Sequence, residues 1–251
     1  MPRMGDRLAD NLQHIRAEIA TACDRAGRSP NEVTLVAVTK YAQWDWVRRL
    51  VDLGGIDLAE SRPQQFVERA TELAARGARF QHASAGHVEN VPHVRWHFIG
   101  HLQRNKVKPV LPLTTLIHSV DSQRLLERIS EVAVELSHRP RVLLEVNVSG
   151  EASKDGLTIA DLTSQWDTLQ AVPNVDVVGL MTMAPLADDP EAARPVFREL
   201  RQLRDQLAAR AAPHVRLTEL SMGMSGDFAV AIEEGATLVR IGSRLFEGLE
   251  S

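Results

Sequence analysis

Eight short apolar runs, separated by helical patterns, constrain the fold of this 251-residue chain more than any other feature. The runs are rich in β-branched residues and predict buried strands at 33–39, 56–60, 95–99, 115–119, 141–148, 175–181, 217–222 and 237–241. Apolar residues at helical spacing predict intervening helices at 44–53, 62–76, 122–137, 159–171 and 195–211. This alternation is typical of right-handed βαβ units and a parallel sheet.

The number of strands and the chain length favour a (β/α)8 TIM barrel, preceded by an amphipathic helix over 6–26. A doubly wound open sheet is the competing fold, but Lys40-Tyr41-Ala42-Gln43 stands where its glycine-rich turn would follow the first strand. Neither repeats nor low-complexity linkers occur, so a single domain over 1–251 is expected. The polar stretch 81–92 predicts an inserted loop after a short extra strand at 79–83.

Composition narrows the class of protein. The net charge is −4 and the basic residues are scattered, apart from Arg104-Asn105-Lys106-Val107-Lys108, which argues against a nucleic-acid-binding surface. Cys23 is the single cysteine, so no disulfide framework exists and a reducing compartment fits best. The charged start, 1–16, lacks a secretory apolar region, and no run of about 18 apolar residues predicts a membrane span. We therefore expect a cytoplasmic protein.

Lys40 ends the first apolar run and places an amine at the tip of a buried strand. Burial disfavours the ammonium form, and the neutral amine is a nucleophile suited to Schiff-base chemistry. On this segment alone, a lysine that has left the sheet and extends into solvent is equally compatible.

In a barrel, the residues that close each strand meet at one mouth, where active sites lie. Two of these strand ends, 221–223 and 242–243, contain glycine and precede segments that we expect to be helical, 225–234 and 244 onward. Backbone amides at such turns bind anions, and barrels often place a phosphate after strands seven and eight. The alternative is that these glycines only permit tight turns.

Arg240 lies inside the last predicted strand, where a guanidinium needs an acceptor. It either pairs with Glu219 or another carboxylate, or points at a ligand. A reactive amine, a phosphate-binding turn and an arginine at one mouth suit a phosphorylated aldehyde, for which pyridoxal phosphate is the obvious candidate.

The chain resembles the pyridoxal phosphate homeostasis proteins, which share the barrel of alanine racemase but lack its second domain. The resemblance spans nearly the whole chain and rests on five motifs: Leu35–Lys40, Trp96–Lys106, Val146–Lys154, Ser221–Asp227 and Val239–Ser243.

The resemblance implies the type III fold of enzymes that use pyridoxal 5'-phosphate. It implies that Lys40 holds this cofactor as a Schiff base and that Arg240 approaches the pyridine nitrogen. Ser61 stands where the family usually has an asparagine near the cofactor. The phosphate would be bound by the two glycine-containing turns, namely Ser221, Met222, Gly223 and Ser225 with Gly242 and Ser243.

A racemase of this fold needs a second acid or base, usually a tyrosine from the extra domain of a partner subunit. Tyr41 is the single tyrosine, and strand alternation predicts that it faces away from Lys40 and packs outside the barrel. Residues 243–251 leave no room for another domain. We therefore expect a monomeric, non-catalytic protein that buffers pyridoxal phosphate or delivers it to apoenzymes. A racemase or lyase of weak activity, with Lys40 as its base, is the alternative.

Two other classes of function are weaker. A metal-dependent hydrolase is suggested by His93, His97 and His101, but in a strand this spacing covers about 13 Å, too far for one metal ion. His97 is better interpreted as a barrel-lining histidine satisfied by hydrogen bonds. An RNA- or protein-binding barrel would use Arg104, Lys106 and Lys108, yet aromatic residues make up 4% of the chain and offer little stacking surface. These three cations either form a solvated face or attract free phosphate.

Overall fold

The computed structural model describes residues 4–75, 79–80, 93–151 and 154–249. Its strands lie close to the predicted runs, because β-branched and apolar residues suit a sheet that is covered on both faces. They are β1 (Thr34–Val38), β2 (Asp57–Glu60), β3 (Arg79–Phe80), β4 (His93–Phe98), β5 (Leu116–Val120), β6 (Arg141–Glu145), β7 (Asp176–Met181), β8 (Glu219–Ser221) and β9 (Leu238–Ile241).

Eight of these strands form a closed parallel barrel in the order β2-β1-β9-β8-β7-β6-β5-β4, with β2 pairing β4. The predicted (β/α)8 barrel is therefore confirmed. Strand β3 pairs with the start of β4 and lies outside the ring. It coincides with the start of the predicted extra strand, whereas 81–83 and the predicted loop 81–92 lie outside the described residues.

The helices surround the barrel, and none in the described part of the chain is both long and apolar enough to cross a membrane. The bounds are α1 (Met4–Arg25), α2 (Trp44–Asp52), α3 (Pro63–Ala75), α4 (Val107–Val110), α5 (Gln123–Glu135), α6 (Ile159–Gln170), α7 (Arg194–Ala208) and α8 (Phe228–Glu233). Short 3-10 turns occur at Pro30–Glu32, Arg104–Lys106, Leu111–Leu113 and Pro190–Ala193.

The predicted helix from residue 244 onward is wrong. Residues 243–248 form turns in which the amides of Leu245 and Phe246 both donate to Gly242. The side-chain amide of Asn11 donates hydrogen bonds to the carbonyls of Leu245 and Glu247, at 3.1 and 2.9 Å. Helix α1 therefore satisfies carbonyl groups that would accept hydrogen bonds within a continuing helix. The expected helix at 225–234 begins only at Phe228.

The stripe Leu8, Leu12, Ile15 and Ile19 of α1 is buried in the main core. The prediction that this helix packs on the barrel is therefore confirmed. Glu18 of α1 also pairs with Arg244, which ties the start of the chain to the turns after the last strand.

The barrel interior combines one apolar layer with polar groups. The layer is formed by Val36, Ala59, Leu116, Leu143, Met181 and Leu238. Side chains two residues further along a strand share its face, so Glu145 follows Leu143 and Arg240 follows Leu238 into the interior. The end of the barrel where the strands finish is consequently polar.

Candidate functional site

Lys40 lies in the turn that follows β1. Val36 and Val38 face the barrel interior, and alternation directs the next residue of that face, Lys40, toward the mouth. The amide of Ala42 donates to the carbonyl of Thr39 at 2.8 Å, which closes the turn around a half-buried Lys40.

Helix α3 holds this turn through two side chains that the sequence did not single out. The Arg69 guanidinium donates to the carbonyl of Thr39 at 2.5 Å and to that of Ala42 at 2.7 Å. Gln65 donates to the carbonyl of Lys40 itself at 3.3 Å. The position of the amine therefore depends on α3 as well as on β1.

A buried carboxylate, Glu60, completes the support beneath Lys40. It accepts hydrogen bonds from the hydroxyl of Thr39 at 2.6 Å and from Arg69 at 2.5 Å. Burial raises the pKa of Glu60, and these two bonds only partly offset the increase. Its other oxygen, Oε2, is buried without a hydrogen-bond partner among the described residues.

Ser61 closes β2 beside Lys40. The β1–β2 register pairs Val38 with Ala59, and two residues further this register leads to Lys40 and Ser61. Gly100, after β4, approaches so closely that a Cβ there would lie 2.0 Å from the carbonyl oxygen of Ser61. Only glycine fits at this contact, which brings the end of β4 to the same mouth.

The turn after β8 has the character of an anion site. Gly223 has φ +91, and a Cβ there would lie 2.6 Å from the Cβ of Ala231, so the turn requires glycine. In the described part of the chain, the amides of Gly223, Ser225 and Ser243 have no hydrogen-bond acceptor. Clustered free amides of this kind bind anionic oxygens. The side chain of Met222 is buried in the core, so its contact with a ligand would be through the backbone.

Gly242 connects this turn to the strand that carries Lys40. Its amide donates to the hydroxyl of Ser225 at 3.4 Å, and a Cβ at 242 would lie 3.1 Å from the carbonyl oxygen of Val38. The predicted phosphate turns and the predicted amine are thus neighbours, with Ser243 exposed at the rim.

Arg240 is buried and faces the barrel interior. It donates to the Ser221 hydroxyl at 2.5 Å and to the carbonyl of Thr182 at 2.9 Å. Pairing with Glu219, which the sequence left open, does not occur. The register pairs Ser221 with Leu238, so Glu219 lies further from the mouth than Arg240, and it accepts from Arg141 at 3.1 Å instead. Burial lowers the pKa of Arg240 to about 10, so the guanidinium remains charged near neutral pH.

An acidic group lies opposite, at the end of β6. Burial raises the pKa of Glu145 to about 7, and the charges of Asp121 and Asp155 add to the effect. His101 stands 3.2 Å from Asp121 and 3.5 Å from Asp155 at the rim. The mouth therefore holds a carboxyl group that titrates near neutral pH. The sequence signal for Glu145 was its place two residues after the inward Leu143.

The prediction for Tyr41 is wrong. Its side chain is 75% exposed, and the centre of its ring lies 5.2 Å from Nζ of Lys40 and 5.4 Å from Cζ of Arg62. Strand alternation does not apply, because β1 ends at Val38 and the turn redirects the side chain. Tyr41 contacts the cations of the mouth through its ring face.

The interpretation of His97 as a barrel-lining histidine is confirmed. It is buried and contacts His118 at 2.9 Å and Asp57 at 3.0 Å, whereas His101 is exposed at the rim. The side chain of His93 lies outside the described part. Across the residues that the structure describes, no three or more His, Cys, Asp or Glu side chains are grouped so as to hold a metal ion.

The three basic residues of the sequence motif separate in space. Lys106 lines a cleft of about 630 Å³ beside the mouth together with Arg62 and Gln65. Lys108 instead donates to Glu135 of α5 at 2.9 Å. Arg104 borders a different depression beside Arg128.

Comparison with known proteins agrees with this geometry. The family described as alanine racemase, N-terminal domain, matches residues 57–249. The chain is 39% identical over 237 residues to the pyridoxal phosphate homeostasis protein of Aquifex aeolicus, which covers 94% of this chain and 96% of the relative. The chain belongs to the family of pyridoxal phosphate homeostasis proteins.

Solved structures show the same barrel. One from Bifidobacterium adolescentis is 37% identical, with a TM-score of 0.86 over 98% of this chain and 97% of that one. PipY of Synechococcus elongatus, solved with pyridoxal phosphate bound, is 31% identical, with a TM-score of 0.78 over 95% of this chain and 99% of that one. The single-domain relatives of the alanine racemase barrel are therefore the structural class of this protein.

Proposed function

We propose that this chain binds pyridoxal 5'-phosphate at the barrel mouth and takes part in cytoplasmic vitamin B6 homeostasis. The observation that carries the proposal is the contact at Gly242, which joins the anion turn to β1 and hence to Lys40. The bound cofactor in PipY and the names of the relatives support it.

The donor set suits each part of the cofactor. The free amides at Gly223, Ser225 and Ser243 are suited to a phosphate, and the amine of Lys40 is suited to an aldehyde. Arg240 has N–H groups beyond those given to Ser221 and Thr182, so it is able to donate to a pyridine nitrogen. When bound, the cofactor supplies an electrophilic aldehyde carbon and an electron-withdrawing ring.

The character of Arg240 supports carriage. Its guanidinium keeps its proton near neutral pH, so it acts as a donor and leaves a ring nitrogen facing it unprotonated. An unprotonated ring withdraws electrons less strongly, which suits a protein that holds and releases the cofactor. We propose a single domain over 1–251 that acts as a monomer and delivers the cofactor to apoenzymes.

A weakly active racemase or lyase is the second candidate, favoured by one observation. Glu145, whose pKa is about 7, lies at the same mouth as Lys40 and supplies a group able to exchange protons. Incubating the loaded protein with L-alanine in D2O separates the candidates. If the wild-type protein exchanges the α-proton for deuterium, its NMR signal disappears. Disappearance in wild type but not in Glu145→Gln supports catalysis, whereas a signal that persists in wild type supports carriage.

The absorption spectrum of purified protein incubated with pyridoxal phosphate tests the main proposal. We expect a visible band that borohydride fixes to the peptide containing Lys40 and that Lys40→Ala removes. Lys108→Ala is the matched control, because Lys108 pairs with Glu135 away from the mouth and its loss should leave the band intact. A wild-type protein that develops no band contradicts the proposal.

A further inference from the structure

A continuous chain of hydrogen bonds crosses the barrel interior from the mouth to its opposite end. It runs from Arg240 to Ser221 at 2.5 Å, from Ser221 to His118 at 2.8 Å, from His118 to His97 at 2.9 Å and from His97 to Asp57 at 3.0 Å. All five side chains are buried. No bulk solvent therefore competes for these bonds.

The residues at the two ends of this hydrogen-bond chain determine which group donates and which accepts at each step. Arg240 only donates, and an ionised Asp57 only accepts. His97 must then present Nε2–H to Asp57, which leaves its Nδ1 to accept from Nε2–H of His118.

The remaining atoms follow in the same way. His118 has Nδ1 left as an acceptor, so Nδ1 accepts a hydrogen bond from the Ser221 hydroxyl. The Ser221 oxygen in turn accepts a hydrogen bond from Arg240. The opposite direction would set a bare Nε2 of His97 against the Asp57 carboxylate, or would need a charged His97.

The surrounding charges support this arrangement. Arg95 donates to both oxygens of Asp57, at 2.6 and 2.5 Å. Burial raises the pKa of Asp57, but the bonds from His97 and Arg95 outweigh it and keep the carboxylate ionised. Burial lowers the pKa of His118 well below its ordinary value, and the nearby rings and charges of His97 and Arg240 oppose a second positive charge there, so this ring is neutral.

The proposal rests on the proposed function. We propose that Asp57, His97 and His118 are positioning residues that act on the cofactor through Arg240. Their one-way chain makes Ser221 an acceptor, which holds the Arg240 guanidinium and couples the charge at the far end of the barrel to the cofactor ring. Asp227, directly before α8, and Glu145, at the end of β6, are the carboxyl groups whose charges act on Arg240.

The histidine tautomers test the chain without any cofactor. Long-range ¹H–¹⁵N correlation spectra of the ¹⁵N-histidine-labelled protein distinguish Nε2–H from Nδ1–H, with assignments from single substitutions. We expect both His97 and His118 to carry their ring proton on Nε2 alone. An Nδ1–H tautomer of His118, or a cationic His97, overturns the proposal.

The coupling to the cofactor is tested with Asp57→Asn. Its matched control is Asp176→Asn, since Asp176 also begins a strand and pairs with an arginine, Arg139, but takes no part in the chain. The absorption band of the bound cofactor is titrated against pH in each protein. Asp57→Asn removes a negative charge, which disfavours the protonated form of the bound cofactor. We therefore expect the midpoint pH of its titration to fall by about half a unit, and the control to match wild type.

The outcomes separate the two proposals. A wild-type protein without a cofactor band contradicts the proposed function. The tautomer spectra then still test the direction of the hydrogen-bond chain, because they need no cofactor. A normal band whose titration is the same in wild type and in Asp57→Asn defeats the coupling alone.

Discussion

Arg69 donates a hydrogen bond to the backbone carbonyl of Thr39, the residue directly before Lys40, at 2.5 Å. The same guanidinium reaches the carbonyl of Ala42 and the carboxylate of Glu60. One side chain of α3 therefore fixes both ends of the turn that presents the amine.

We expect Arg69→Ala to weaken binding of pyridoxal phosphate by about tenfold, because it removes the charge-assisted bonds that orient the Lys40 turn. Equilibrium titration of the absorption band measures the effect, and circular dichroism checks folding. Arg128→Ala is the control, since Arg128 pairs with Glu131 on the surface of α5. Equal affinities of Arg69→Ala and wild type would show that the turn holds its conformation without α3.

Glu145 should make stability depend on pH between its unfolded and folded pKa values. Its pKa is about 7 in the folded protein against an ordinary 4.5, so its contribution to folding is complete below pH 4.5 and is lost as the pH rises through 7. Glu145→Gln avoids the buried charge, and we expect it to exceed wild type in stability at pH 8 by about 1–3 kcal/mol more than at pH 5.

Urea denaturation of both proteins at the two pH values measures this difference. Glu135→Gln, on the exposed face of α5, should show no such dependence, because the bond with Lys108 lowers the pKa of Glu135 rather than raising it. If the stability of Glu145→Gln depends on pH in the same way as that of wild type, Glu145 is not the group whose ionisation causes the dependence.

Lys106 should assist the arrival of the cofactor phosphate, because it lines the cleft beside the Lys40 turn. We expect Lys106→Glu to slow association of pyridoxal phosphate several-fold at low ionic strength, and the effect to fade at high salt. Lys108→Glu should have little effect, since Lys108 faces Glu135. Stopped-flow absorbance measures the rates, and equal slowing by both variants would indicate a general loss of positive charge instead.

Gly179 should tolerate no side chain. A Cβ there would lie 1.9 Å from the carbonyl oxygen of Glu219 on the neighbouring strand, and backbone atoms cannot move aside. We expect Gly179→Ala to destabilise the fold by about 1–3 kcal/mol in chemical denaturation. Gly226→Ala is the comparison, because a Cβ at 226 meets no atom within 4 Å. Equal stability of the two variants would contradict the predicted clash.

Local pattern predicted the barrel and part of the site. The alternation of apolar runs and helices implied parallel strands, and parallel strands bring their carboxyl ends to one mouth. Strand order along the chain was therefore enough to group Lys40, Ser61 and the turns at Ser221 and Gly242. Each of these residues is located by its place along a strand.

Contacts between distant segments were decided only by the tertiary structure. Ser221 lies 103 residues from His118, and Asp57 lies 40 residues from His97, so these bonds exist only because the closed barrel sets the strand register. The turn after β1, the reach of Arg69 and the capping of residues 245 and 247 by Asn11 likewise overrode the local expectations for Tyr41 and for a last helix. The sequence determined which residues end each strand, while closure of the barrel determined which of their side chains meet, because periodicity encodes direction along one element but not the distance between two.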